Sequence, residues 1–336
     1  MSGISLRKIG NADIPAIGFG LMGISVAYGA VESDEERLKV LDAAYEAGCT
    51  FWDTADIYGD SEVLIGKWFQ LNPDKREKIF LATKFGVTSD SSACGTPDYV
   101  KHCVQESLKK LGVECIDLYY LHRVDAKTPI EITVGAMAEY VKADKIRYLG
   151  LSECTPSGLR RANSIHPISA LQIEFSALER PPLDLLRTAR EFNTKIVAYS
   201  PLGRGFLTGQ IRSLNDLSGG DDDFRSMIPK VRAEGNFDRI MELADAIKAV
   251  GEKHGATAGQ AALAWVLAQG EDVFVIPGTK KIKYLLENIG AARVQLTSED
   301  VEEITKAAEA TDLAGDRYPD FMQGAVYVES PPLESA

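Results

Sequence analysis

Four polar side chains lie at positions where they could jointly protonate a carbonyl oxygen. Asp53, Lys84 and His122 each end a short apolar run, and Tyr58 follows Asp53 by five residues. A free tyrosine is a weak acid at neutral pH. A lysine ammonium at ~4 Å stabilises the phenolate by on the order of 4 kcal/mol at an effective dielectric of ~20, which strengthens the acid. The pattern predicts that Asp53 orients Lys84, that His122 orients a carbonyl group, and that Tyr58 protonates its oxygen.

Taken singly, these residues also have structural interpretations. Asp53 could bond the loop that follows it, Lys84 could be a strand-end cation with a buried stem, and His122 could be a satisfied core histidine. Their joint appearance at the ends of three successive apolar runs favours a catalytic set. The chemistry indicated is the reduction of a carbonyl group.

Eight short apolar runs alternate with amphipathic segments along the chain. Continuous apolar character is typical of strands buried on both faces of a parallel sheet. The pattern predicts an α/β fold, a single (β/α)8 TIM barrel, with a doubly wound sheet as the alternative. In such a barrel the catalytic side chains come from the C-terminal ends of the strands, so the four residues would meet at one mouth. The predicted strands are 14–20, 51–53, 79–84, 116–122, 146–151, 170–174, 195–199 and 273–277, and the predicted helices are 34–47, 61–69, 130–143, 183–192, 237–253, 257–269, 282–289 and 298–310, with two more beginning at Pro97 and Pro156.

Composition excludes several classes of function. Lys and Arg total 37 against 49 Asp and Glu, a net charge of −12 that argues against nucleic-acid or anionic membrane partners. The five cysteines form no C-x-x-C pair and no signal peptide or membrane span is visible, so a cytoplasmic protein with reduced thiols is expected. With four histidines and no H-x-H or H-E-x-x-H motif, no metal site is indicated, which disfavours a metal-dependent barrel hydrolase.

Two segments interrupt the strand–helix alternation of the single domain expected over residues 1–336. The glycine-rich stretch 203–235 is longer than most loops in a compact domain, which favours a functional loop, here one that covers a cofactor. The tail 311–336 carries aromatic residues that could fold over the barrel mouth or simply pack on the surface.

The chain resembles the aldo-keto reductase superfamily over nearly its whole length. The combination Leu121–Asp125 (LHRVD) with Gly150–Glu153 (GLSE) is most similar to the microbial and fungal branch that includes pyridoxal reductases. The resemblance implies a (β/α)8 barrel, catalysis by Asp53, Tyr58 and the other two residues named above, and an extended NADPH/NADP+ across the mouth. The residues that carry it are Asp53–Gly59, Ala82–Lys84, Asp117–His122, Gly150–Ser152, Gln172, Tyr199–Gly205, Ile276–Lys280, Glu287 and Asn288.

The resemblance also implies which residues contact the cofactor. Tyr199 would stack on the nicotinamide ring, as an aromatic face can. Lys280, Lys281 and Lys283 are positive in an acidic protein, which favours NADPH over NADH, although a solvated helix face is the alternative. The implied contacts are Gly20, Leu21, Met22 and Asp53 to the nicotinamide ribose; Ser152 and Gln172 to the carboxamide; Ser200, Pro201, Leu202, Arg204 and Gly205 to the pyrophosphate; and Pro277, Gly278, Thr279, Lys280, Tyr284, Glu287 and Asn288 to the adenosine end.

Three positions depart from the family pattern. Glu153 stands where Asn is common, and a carboxylate cannot donate to a carboxamide oxygen, so a different contact is expected there. Tyr284 replaces an Arg of many relatives. Met22 replaces an aromatic residue of some branches, which indicates an adaptable pocket.

The implied function is NADPH-dependent reduction of aldehydes, or of ketones, to alcohols. The expected substrate pocket contains Met22, Tyr28, Phe85 and Arg123. Arg123 could attract an anionic substituent, but the sequence favours a structural ion pair at the base of its loop. The alternative functions are pyridoxal reduction, alcohol oxidation by the same chemistry in reverse, and a cofactor-binding regulatory subunit without turnover.

Overall fold

Eight parallel strands form the centre of the structure, a computed structural model that describes residues 5–217 and 223–333. Neighbours along the chain are neighbours in the sheet, from the first strand to the last. The strands are β3 (Phe19–Gly20), β4 (Phe51–Asp53), β5 (Phe80–Phe85), β6 (Ile116–Leu121), β7 (Ile146–Ser152), β8 (Ile168–Glu174), β9 (Lys195–Tyr199) and β10 (Val273–Val275), after an initial hairpin of β1 (Leu6–Ile9) and β2 (Ala12–Pro15).

Backbone hydrogen bonds close the sheet into a barrel. The N–H of Gly18 donates to Val275 O at 2.8 Å, and the N–H of Val275 donates to Ala16 O at 3.0 Å. A third bond joins Gly20 N to Pro277 O at 3.2 Å. The predicted (β/α)8 class is therefore confirmed, and the doubly wound alternative is wrong.

The hairpin of β1 and β2 covers the N-terminal end of the barrel. Its side chains Ile9 and Ile14 are 0% and 3% exposed and pack with Phe51 and Phe274 inside the barrel. The predicted strand 14–20 is wrong at this point, because its first residues belong to the hairpin. The barrel is filled with side chains at this end, so a ligand can enter only at the opposite mouth.

Helices surround the barrel and cover its outer face. Alternation along β5 illustrates the arrangement, since Phe80 and Ala82 join the cluster inside the barrel whereas Leu81 and Phe85 join the cluster shared with the helices. The predicted helices end within a few residues of the observed ones. The helices are α1 (Met22–Ser25), α2 (Asp34–Glu46), α3 (Ser61–Leu71), α4 (Pro97–Leu111), α5 (Ile130–Lys142), α6 (Pro156–Ile165), α7 (Leu183–Glu191), α8 (Pro229–Arg232), α9 (Asn236–Lys253), α10 (Ala258–Leu267), α11 (Ile282–Gly290), α12 (Ser298–Ala310) and α13 (Asp320–Gln323).

The two irregular segments both contact the C-terminal mouth. The described parts of 203–235 contain 3-10 turns over Gly203–Thr208, Leu214–Asp216 and Phe224–Met227, and Phe224 N donates to Ala27 O at 3.1 Å. The tail returns to the barrel at Tyr327, whose N–H donates to Glu153 O at 2.8 Å. Residues 218–222 and 334–336 of these predicted segments lie outside the described part of the chain. None of the helices in the described ranges is both long and apolar enough to cross a membrane.

Candidate active site

The ammonium of Lys84 lies at the centre of the candidate site. Its Nζ is 2.5 Å from Asp53 Oδ1, 2.7 Å from Thr54 O and 3.4 Å from the Tyr58 hydroxyl. The side chains of Lys84 and Asp53 are 0% and 3% exposed. Burial opposes the charged form of Lys84, but the charges of Asp53 and Tyr58 outweigh it and raise the pKa of the amine. Lys84 is therefore a buried cation that contacts the phenol.

Strand pairing and loop hydrogen bonds position these groups. Asp53 ends β4 and pairs with Ala82 of β5, two residues before Lys84. The loop that carries Tyr58 is fixed by Asp56 N, which donates to Lys84 O at 3.0 Å. Tyr58 N donates to Ala55 O at 3.1 Å, which closes a tight turn. The half-buried phenol is therefore held at the mouth by backbone bonds.

The second carboxylate oxygen of Asp53 accepts a hydrogen bond from Gln172. The Gln172 Nε2 to Asp53 Oδ2 distance is 2.7 Å, and both side chains are buried. The sequence predicted that Gln172 contacts the cofactor carboxamide. In the structure, Gln172 orients Asp53 from across the barrel.

His122 is a buried, neutral imidazole beside Tyr58. The two ring centroids are 5.8 Å apart in an edge-on arrangement. Burial, followed by the positive charges of Arg123 and Lys84, lowers the pKa of His122 well below its ordinary range. Its Nδ1 is enclosed and has no hydrogen-bond partner among the described residues. Because an orphaned N–H is rarer than an orphaned acceptor, the geometry favours the tautomer that carries the proton on Nε2.

Polar side chains from the next three strands form a row beside the four candidate catalytic residues. The strand register pairs Ser152 of β7 with Gln172 of β8, and Glu174 of β8 with Tyr199 of β9. Tyr199 is half-buried and is the last residue of β9. A hydroxyl, an amide and an aromatic face side by side fit the carboxamide and ring of a nicotinamide, which is an observation in favour of that cofactor.

Glu153 makes buried hydrogen bonds and an ion pair that the sequence did not predict. Its carboxylate accepts hydrogen bonds from Tyr199 OH at 2.7 Å and from Glu174 N at 2.9 Å. Both carboxylate oxygens also bind the guanidinium of Arg317 in the C-terminal tail. Glu153, itself at φ 52°, thus joins the Tyr199 ring to the tail.

A third buried ion pair joins Arg204 to Glu174 near Tyr199. Arg204 Nη2 is 3.1 Å from Glu174 Oε2, and the guanidinium lies 4.8 Å from the ring centre of Tyr318. Tyr318 OH is 2.7 Å from Tyr199 OH. The expected pyrophosphate segment reverses its chain direction here, and its left-handed residues are Ser200, Gly203, Arg204 and Gly205. Strained backbone of this kind is common at ligand sites.

The expected adenosine end lies beside the barrel closure. Pro277 O accepts from Gly20 N, while Leu21 N donates to Asp53 O at 2.8 Å. Lys280 is less free than expected, because its Nζ donates to Tyr28 O at 2.6 Å and to Ala30 O at 2.7 Å.

Beyond Lys280, the remaining expected adenosine contacts follow along α11. Lys281 and Lys283 are exposed, and Tyr284 is half-buried. Glu287 Oε1 accepts from Thr257 Oγ1 at 2.7 Å, and Asn288 is buried. A cavity of about 340 Å³ opens next to Lys280 and Lys281.

The four expected substrate residues have different positions. Met22 and Tyr28 lie on the segment that follows β3, where Arg225 stacks on the Tyr28 ring at 5.3 Å. Phe85 does not line the mouth, because its fully buried ring stacks on Tyr119 at 5.0 Å on the outer face of the barrel. That expectation is wrong, since the alternation that turns Lys84 inward turns Phe85 outward.

Arg123 faces the mouth without the ion pair that the sequence favoured. Its Nη1 donates to His122 O at 2.8 Å and to Ser152 Oγ at 3.2 Å. In the described part of the chain no carboxylate lies within 4.0 Å of its guanidinium.

Two acidic residues near Tyr58 were not singled out from the sequence. Asp56 and Glu62 are both largely enclosed, and each has one carboxylate oxygen without a hydrogen-bond partner among the described residues, although Glu62 Oε2 lies 3.8 Å from Lys110 Nζ. Burial, then the charge of Glu62, raises the pKa of Asp56 to about 7. The signal available in the sequence was the position of Asp56 inside the Asp53–Gly59 motif.

The comparisons with known proteins agree with this geometry. A model described as Aldo/keto reductase family matches residues 16–309. The chain is 57% identical to aldo-keto reductase str7 of Strobilurus tenacellus over 97% of this chain and 98% of the relative. It is 45% identical to aldo-keto reductase yakc of Schizosaccharomyces pombe, a name that specifies NADP(+), over 98% and 99% of the two chains.

A solved glycerol dehydrogenase of Gluconobacter oxydans superposes with a TM-score of 0.82 at 26% identity, over 91% of this chain and 96% of that one. The family model spans all eight barrel strands, from the closing bond at Ala16 to β10. The chain therefore belongs to the aldo/keto reductase family.

Proposed function

We propose that this protein is an NADPH-dependent reductase that converts aldehydes, and ketones as a second class, to alcohols. The observation that carries the proposal is the contact of one buried ammonium, Lys84, with both the carboxylate of Asp53 and the phenol of Tyr58. An amine held charged next to a phenol is the arrangement that makes tyrosine an effective proton donor.

Tyr58 donates the proton in this proposal. A phenolate forms as the proton leaves, and Lys84 Nζ at 3.4 Å stabilises it. At an effective dielectric of ~20, a charge pair at this separation is worth on the order of 4 kcal/mol, or about a thousandfold in rate. Asp53 prevents the ammonium from losing its own proton, and Gln172 keeps Asp53 in place.

His122 positions the carbonyl oxygen. A neutral imidazole with its proton on Nε2 offers one donor and adds no charge to the pocket. Because the ring packs edge-on against Tyr58, a carbonyl oxygen held by Nε2 would also lie close to the phenol. In this proposal His122 orients the carbonyl oxygen and Tyr58 transfers the proton to it.

The cofactor would extend from Tyr199 to α11. Tyr199 would carry the nicotinamide, Ser152 and Gln172 the carboxamide, and Arg204 the pyrophosphate. When bound, the reduced cofactor supplies hydride to the carbonyl carbon. The name of the Schizosaccharomyces pombe relative, and the positive charge of Lys280, Lys281 and Lys283, support NADPH as that cofactor.

The proposal is tested by following NADPH absorbance with aromatic, aliphatic, dicarbonyl and pyridoxal substrates while the alcohol product is quantified. We expect one alcohol per NADPH consumed, and oxidation of the same alcohol when NADP+ is in excess. A protein that binds NADPH tightly but turns over no carbonyl compound or alcohol would support a regulatory subunit instead.

A further inference from the structure

We propose that Arg123 is an anion-binding residue of the substrate pocket and that the preferred substrates are carbonyl compounds that carry a carboxylate. This inference rests on the proposed function, because it concerns the group attached to the carbonyl that Tyr58 and His122 receive.

The hydrogen bonds of Arg123 leave one edge of its guanidinium free. Both protons of Nη1 are used, by His122 O at 2.8 Å and Ser152 Oγ at 3.2 Å. Within residues 5–217 and 223–333, no acceptor bonds to Nε or Nη2. Those two nitrogens form the fork that binds a carboxylate with two parallel hydrogen bonds.

The free edge is accessible and also fixed in position. Arg123 is only half-buried, and neither Nε nor Nη2 is among the enclosed polar atoms without a partner. The two bonds of Nη1 attach the guanidinium to the ends of β6 and β7. A fixed donor pair loses little conformational freedom on binding an anion.

Three other cations at the mouth are paired with carboxylates, and Lys280 donates to backbone carbonyl groups. Lys84 is bound by Asp53, Arg317 by Glu153, and Arg204 by Glu174. Among the described residues, no carboxylate forms an ion pair with Arg123, so its guanidinium offers a positive charge to an anion beside His122. A carbonyl compound with a carboxylate would supply the missing counter-charge.

The position of Arg123 distinguishes the substrate from the cofactor as the source of the anion. Arg123 directly follows His122 and lies at the nicotinamide end, whereas the phosphates of NADPH would lie toward Arg204 and Lys280. Burial lowers the pKa of Arg123, but the nearby phenols of Tyr199 and Tyr318 and the carboxylate of Glu153 outweigh it and raise that pKa. An anion at Arg123 is therefore adjacent to the reacting carbonyl.

The test compares each carboxybenzaldehyde isomer with its methyl ester, which keeps the ring and the aldehyde but replaces the carboxylate with a slightly larger, uncharged group. We expect the wild-type protein to show a higher kcat/KM for at least one acid than for its ester. Arg123→Met should lower that ratio at least tenfold, Arg123→Lys should fall between, and the dissociation constant of NADPH should change less than twofold. Arg187→Met removes an equal charge from an exposed position on α7 and should leave the ratio unchanged.

Two results would overturn the inference. One is an equal kcat/KM for the acid and its ester at every isomer. The other is an equal fall of kcat/KM for acids and esters in Arg123→Met, which would mean that Arg123 only supports Ser152. A binding measurement separates these from failure of the proposed function. Calorimetric titration of the hydroxymethylbenzoates into NADPH-loaded protein needs no turnover, and Arg123→Met should weaken their binding at least tenfold relative to the esters.

Discussion

The carboxylate of Glu153 and the guanidinium of Arg317 form a buried salt bridge between positions 164 residues apart in the chain. The same carboxylate accepts a hydrogen bond from Tyr199 OH at 2.7 Å. Position 153 therefore links the expected nicotinamide platform to the tail that crosses the mouth. A neutral side chain at this position could not balance the charge of Arg317.

Glu153→Gln should loosen the tail. Among the described residues, it leaves Arg317 with Glu174, at 3.5 Å, as its one counter-charge. Breaking one partner of a buried pair costs about 3–5 kcal/mol, so we expect a lower free energy of unfolding and faster hydrogen exchange in peptides from 313–330. Glu191→Gln, which breaks an exposed pair with Arg160, is the matched control and should change neither. Unchanged exchange in Glu153→Gln would show that apolar packing alone holds the tail.

Lys84→Met should reduce both stability and turnover. It leaves the buried carboxylate of Asp53 without its cation, at a cost of about 3–5 kcal/mol. The double variant Asp53→Asn/Lys84→Met removes both charges and should recover most of the stability in urea unfolding, but none of the activity. Recovery of activity in the double variant would refute an electrostatic role for Lys84.

Asp56 should make stability depend on pH. Its pKa is raised to about 7, so between its ordinary value of 3.8 and about 7 the folded protein holds a proton that the unfolded chain has lost. The stabilisation is complete below the ordinary value and is lost as pH rises through 7, with a slope of up to about 1.4 kcal/mol per pH unit. The Asp56→Asn variant should lack this pH-dependent contribution to the free energy of unfolding. Urea unfolding of both proteins across this range should therefore give diverging curves, and parallel curves would contradict the raised pKa.

Lys280→Ala should weaken the binding of NADPH about tenfold more than the binding of NADH, because the 2′-phosphate loses a positively charged neighbour. The substitution also removes the hydrogen bonds to Tyr28 O and Ala30 O, which affect both cofactors. Lys101→Ala deletes an equal charge from an exposed position on α4 and serves as the control. Equal weakening of NADPH and NADH in Lys280→Ala would assign this lysine to the loop alone.

The sequence predicted the barrel and the grouping of the four candidate residues because both follow local rules. Asp53, Lys84 and His122 each end an apolar run, and parallel strands in a barrel bring such ends to one mouth. Alternation along β5 could also have excluded Phe85 from the pocket. The hairpin was missed although Gly10, at φ 55°, and Asn11 form a turn signal between two short strands.

The features of the site that the sequence did not predict depend on contacts between distant parts of the chain. The sequence around Glu153 does not indicate that Arg317 is its ion-pair partner. The pair forms only when the tail has folded over the mouth. Gln172 likewise bonds Asp53 from a strand 119 residues later. The expected ion pair of Arg123 was wrong for the same reason, since the nearby carboxylate of Glu153 is already occupied by Arg317.

The most direct test of the account is the turnover of Tyr58→Phe, measured together with its dissociation constant for NADPH. Removing one hydroxyl deletes the proton donor and leaves Asp53, Lys84 and the cofactor contacts in place. We expect kcat to fall by about a hundredfold to ten-thousandfold while the dissociation constant for NADPH stays within about twofold of wild type. Wild-type turnover in Tyr58→Phe, or an equal loss of NADPH binding, would contradict proton donation by this residue.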